Sequence, residues 1–268
     1  MGIVFAEELA DTNNTLDDVA LDNIIFTSNV DKKIIATRSD IQVIESSEDI
    51  IYISQKMVKD YLFLATNPEN TLLEDKLKES LTQLNEDLKM IARTTKNSDT
   101  KDLLDYLAYG KDEISEILKN KIDKEQSSLM LDYSETLLEG GHSMVSAHKY
   151  DFTDEEKMLA IIKKAEYLLS RITKYYFAKN LGFDTIENNE QMKDAIVELE
   201  ENFVKINMYT YPTEIEKLKK NMFKIWQANK IFFIKDEKKV FIPNIIFISM
   251  NYLEQIVDNL VVYHRKNQ

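Results

Sequence analysis

A chain of 268 residues with 44% hydrophobic content can bury one large core or two ordinary ones, which excludes disorder along its whole length. Only 5 Gly and 3 Pro leave little material for strands or tight turns, and the absence of cysteine excludes disulfides, thiol nucleophiles and cysteine-held zinc. A formal net charge of -13 without any basic stripe repels a phosphate backbone, so nucleic acid is not an expected partner.

The chain opens on Ile3-Val4-Phe5-Ala6 before the acidic pair Glu7-Glu8. This reads as the end of a signal-peptide hydrophobic region, with an ordinary cytoplasmic N-terminus as the alternative; the first reading expects a periplasmic or secreted protein. Residues 1–40 otherwise form an acidic arm with one compact apolar patch at Val19, Leu21, Ile24, Ile25 and Phe26.

Helical periodicity begins near Ile41, and Ile50, Ile53, Met57, Tyr61 and Leu64 step by three and four along a helix predicted over 41–66. Asn67-Pro68 closes it. Leu77, Leu81, Leu84, Leu88 and Ile91 mark a second helix over 72–93. Leu103, Leu104, Leu107, Ile114 and Ile117 mark a third over 99–120. A fourth runs over 124–140 through Leu129, Tyr133, Leu137 and Leu138, where Gly140-Gly141 is expected to weaken or end it.

The second half repeats this plan. Asp154 is placed to cap a helix over 154–181 that stops at Gly182, and Met192, Ile196, Leu199, Phe203 and Ile206 form the stripe of the next, over 188–207. Pro212-Thr213 opens a helix over 213–234 carrying Trp226, Phe232 and Phe233 as core aromatics. Pro243 opens the last, over 243–264. The longest apolar stretch, 242–263, carries Asn244, Asn251, Glu254, Asp258 and Asn259, so no transmembrane segment is expected. The pattern predicts an all-α protein of two tandem up-and-down four-helix bundles, at 41–150 and 151–268.

An offset of 115 residues superimposes the halves without a gap: Tyr52 falls on Tyr167, Lys59 on Lys174, Tyr61 on Tyr176, and the stripe from Leu77 to Ile91 on that from Met192 to Ile206. One amphipathic helix can always be phased onto another. Holding one offset through three helices and two loops is the mark of an internal duplication.

The first helix of each half resembles the sensing module of type IV pili methyl-accepting chemotaxis transducers, the PilJ-type domain also found in nitrate and nitrite sensors. The resemblance rests on Glu48, Ile51-Tyr52, Ser54-Gln55-Lys56, Lys59 and Tyr61, and on Lys163, Glu166-Tyr167, Leu169-Ser170-Arg171, Lys174 and Tyr176 in the second half. It covers roughly 41–265, and the second helix and Trp226 fit the later part of the pattern. Where nitrate sensors of the family carry their anion-binding arginine, this chain has Ile51 and Glu166. The resemblance implies a periplasmic four-helix ligand-sensing module for a small anionic ligand that passes small helix displacements to a membrane receptor or sensor protein, and with no catalytic motif in the chain an enzyme is not expected. In those sensors the ligand sits between the first helices of two subunits, so a duplicated chain is expected to build that seam internally, 41–66 against 154–181; the alternative is an end-to-end rod in which the fourth helix runs on into the fifth.

Candidate ligand-binding residues are then Lys56 and Arg171, the cations nearest the family's ligand position, with Lys59, Lys174, Tyr52 and Tyr167 beside them. The competing reading has the cations solvated or paired on a helix face and the tyrosines packed as core rings. His142, His148 and His264 lack metal-ligand spacing and are expected to be solvated at helix ends. The single Glu-x-x-His, Glu139 to His142, lacks the second copy a di-iron bundle needs, and no phosphate loop or nucleophile elbow is present, so neither cofactor nor metal is expected.

Overall fold

The computed structural model describes residues 36–234 and 241–267; the arm and its Ile3–Ala6 segment lie outside the described residues. All regular structure among them is helical: α1 (Arg38–Thr66), α2 (Thr71–Thr94), α3 (Ser98–Ile117), α4 (Lys124–Ala147), α5 (Asp154–Asn180), α6 (Ile186–Met208), α7 (Thr213–Ile234) and α8 (Pro243–Arg265).

Local chemistry sets the ends. α1 begins three residues before the predicted start, because Thr37 and Asp40 form a reciprocal capping box. In α5 the cap is Thr153, boxed with Glu156, so Asp154 is the first helical residue rather than the cap. Gly182 follows the end of α5 with φ +92°, a conformation that favours glycine. Pro243 occupies the opening turn of α8, where a missing N–H costs nothing.

The prediction for the end of α4 was wrong. The helix continues through Gly140-Gly141 to Ala147, because these glycines serve packing: a Cβ on Gly141 would lie 2.6 Å from Ile51 Cγ1 and 3.1 Å from the Ser47 carbonyl oxygen. The missing side chain lets α4 lie close against α1.

α1 packs on α2, α4 and α5, and α3 closes against α2 and α4. α5 packs on α1, α6 and α8, and α7 lies mainly on α8. α6 and α7 barely meet at the backbone and are bridged by rings, Phe203 standing edge-on to Phe223 and to the fully buried Trp226. With three helical neighbours each, α1 and α5 are enclosed almost all round, and every residue from Tyr167 to Ala178 is buried. They run parallel and in register: Glu48 meets Lys163, Gln55 meets Arg171 and Phe63 meets Phe177.

α8 is, by length and composition alone, apolar enough to cross a membrane. In the fold Met250, Leu253, Val257 and Leu260 are buried, and Glu254 is held in an ion pair.

Candidate functional site

Burying a charge is costly unless it is paired and hydrogen-bonded, so charged side chains at the junction of α1 and α5 stand out. Lys59 and Lys174, equivalent under the 115-residue offset, are both 0% exposed. Of the reading that has these cations solvated or paired on a helix face, the solvated part fails and the pairing holds, but in the interior. Lys59 finds its hydrogen-bond partners in the other half: its Nζ donates to both oxygens of Glu254 on α8, at 2.8 and 2.7 Å, and to Asn251 Oδ1 at 2.7 Å. Lys174 makes the reciprocal crossing, donating to Glu135 Oε1 at 2.5 Å and Ser134 Oγ at 3.2 Å on α4.

Polar neighbours complete each pair. Ser170 Oγ donates to Glu254 Oε1 at 2.8 Å, while Gln55 donates to the Ser134 carbonyl at 3.2 Å and accepts from Arg171 Nη1 at 3.4 Å. Arg171 grips Glu135 with two nitrogens, at 3.0 and 2.7 Å, and reaches Gln191 Oε1 on α6 at 2.6 Å. Burial pushes the Glu135 carboxyl up, but Lys174 and Arg171 more than offset this and hold it below its ordinary value.

Lys56 and Arg171 share no partner. Lys56 points to the opposite flank, donating to Asp60 Oδ2 at 3.2 Å and lying 3.4 Å from Ser80 Oγ on α2. It lines a cleft of about 250 Å³ between α1, α2 and α8, with Tyr52, Lys76, Phe247, Glu254 and Asp258. Burial, then the charges of Glu254, Glu166, Asp60 and Asp258, push the Tyr52 hydroxyl well above its ordinary range. Glu166 is pushed up to about 8 by burial and then by Asp258 and Glu254. Its surroundings thus favour the protonated form. Tyr167 is buried on the other side of the seam, its ring edge-on to His142, beside a cleft of about 190 Å³ that both residues line.

Sequence reasoning missed the acceptors. Glu135 and Glu254 lie on the fourth and eighth helices and look like solvated positions until a lysine from the other half arrives. It also misread two histidines. His148 and His264 are buried, each closing a clasp between helix ends: His148 Nδ1 meets Asp40 at 2.9 Å and its Nε2 meets Thr100 Oγ1 at 3.0 Å. His264 Nδ1 meets Glu155 at 2.7 Å and its Nε2 meets the Tyr211 hydroxyl at 3.0 Å. Asp40 and Glu155 coincide under the offset, but the histidines miss by one residue, which hid the signal. No group of three or more histidine and acidic side chains among the described residues is placed to hold a metal ion.

Compared with known proteins, the chain matches no family model, no curated protein and no solved structure.

Proposed function

We propose that the chain is an extracytoplasmic ligand-sensing module made of two tandem up-and-down four-helix bundles, 41–150 and 151–268, with α1 and α5 as its recognition seam. The reciprocal crossing of Lys59 to Glu254 and Lys174 to Glu135 carries this reading. Buried ion pairs add little net stability over apolar packing, so a plain scaffold gains nothing from two of them. A seam of crossed charge pairs has discrete alternatives: Asp60 Oδ1 already lies 3.8 Å from Lys59, beside its main partner. Small displacements of α1 against α5 would exchange such partners and pass a state on to a membrane receptor. The packing of α4 on α1 and of α8 on α5 supports the tandem arrangement.

A second reading, a ligand-free structural or protein-interaction bundle, is favoured by the internal satisfaction of every seam cation. Thermal melting in the presence of nitrate, nitrite, small carboxylates and amino acids separates the two, because a ligand bound only by the native state raises the melting temperature. A rise with any of these supports sensing. A flat response across the panel overturns it in favour of the scaffold.

A further inference from the structure

The cleft beside Lys56 differs from the seam it adjoins, because two of its charges are not exhausted inside the protein. Lys76 and Asp258 are exposed and form no ion pair among the described residues. They stand on α2 and α8, on opposite walls, with Lys56 and Asp60 on α1 between them. Phe247 forms an apolar wall whose ring is fixed by stacking on Phe63, centroids 3.8 Å apart. At about 250 Å³ the space lies below the range of drug-sized pockets and suits a ligand of roughly ten non-hydrogen atoms.

We propose that this cleft binds a free α-amino acid, its carboxylate toward Lys56 and Lys76 and its ammonium toward Asp258 and Glu254. The inference deepens the sensing reading and rests on it. A simple anion entering here would meet three carboxylates, those of Asp60, Glu254 and Asp258, and a simple cation would meet two lysines. A zwitterion answers both signs at once. The corresponding place in the second half is closed: Arg171 stands where Lys56 does, and its guanidinium is tied to Gln191, the counterpart of Lys76, and to Glu135. One site per chain follows. Glu254 also receives Lys59 from the seam, so an ammonium arriving at Glu254 competes with Lys59 and couples the cleft to α1.

The test is calorimetric titration and thermal melting of the full chain with the common amino acids, their N-acetyl and methyl ester derivatives, and simple anions. Asp258→Asn and Lys76→Gln serve as variants, since both positions are exposed and removing their charge leaves the fold intact. The expected result is binding of at least one free amino acid, with no binding of either derivative and a loss of about tenfold or more in each variant. Equal binding of the ester, or unchanged affinity in both variants, overturns the proposal. A melting shift with anions but no amino acid overturns the zwitterion while leaving the sensing reading in place; no shift with anything overturns both.

Discussion

Glu48 and Lys163 occupy equivalent places 115 residues apart on α1 and α5, and they meet each other across the seam at 2.9 Å. Contact between equivalent positions is what a two-fold relation between the halves, with its axis at this pair, would give. Because the pair is self-complementary, its charges can be exchanged. Glu48→Lys alone puts two ammonium groups at the axis and should destabilise by about 3 kcal/mol. The double variant Glu48→Lys, Lys163→Glu should recover most of that in urea denaturation, and no recovery would show that the pair is held by neighbours such as Asp49 rather than by symmetry.

The crossed lysines should not be equally important. Glu135 keeps Arg171 when Lys174 is lost, whereas Glu254, without Lys59, is left buried with only Ser170 to donate to it. Lys59→Met is therefore expected to cost about 3–5 kcal/mol, the range for an orphaned buried charge, and Lys174→Met clearly less. Equal losses in denaturant titrations would contradict this account of the seam.

Glu166 and Glu155 predict opposite pH dependences. The folded pKa of Glu166 is raised to about 8, so between the ordinary carboxylate value of 4.5 and about 8 the native state holds more protons, and stability falls as pH rises through that window. Glu166→Gln should flatten the decline, seen in the difference between the two pH profiles. Asp87, raised to about 6 chiefly by burial, adds to the acid end of the same slope in both proteins. Glu155 is lowered by its hydrogen bond from Tyr209 and by His264, so its contribution is present above the ordinary carboxylate range and lost as pH falls through the lowered value. Glu155→Gln should cost about 1 kcal/mol at pH 7, a figure discounted for partial exposure, and converge on the wild type in acid.

Two helical glycines should respond to alanine with opposite signs. At Gly110 the nearest atom to a new Cβ is Tyr133 Cδ1 at 3.7 Å, ordinary contact, so helix propensity decides and Gly110→Ala should stabilise by about 1 kcal/mol. At Gly141 the same gain is set against Ile51 Cγ1 at 2.6 Å and a backbone oxygen at 3.1 Å, where overpacking costs about 1–3 kcal/mol. Gly141→Ala should lower the melting temperature; a rise would mean that α4 can shift away from α1 freely.

The sequence by itself determined the helices. Apolar steps of three and four and the scarcity of Gly and Pro are local signals that placed all eight, while the exact ends, such as the Thr37 and Thr153 caps and the run of α4 through Gly140-Gly141, were not read. The 115-residue offset is a property of the chain alone, and it pairs Lys59 with Lys174 and Asp40 with Glu155. What only the tertiary structure decided is which polar positions go inside. Helical period exposes one apolar stripe per helix, and by that rule Lys59 and Lys174 belong to solvent. They are buried because α1 and α5 each acquire a third neighbour from the other half, and with it an acceptor as far as 195 residues away, in Glu254. The histidine clasps follow the same logic: the burial of His148 and His264 depends on where the ends of four helices converge, and no local spacing encodes that distance.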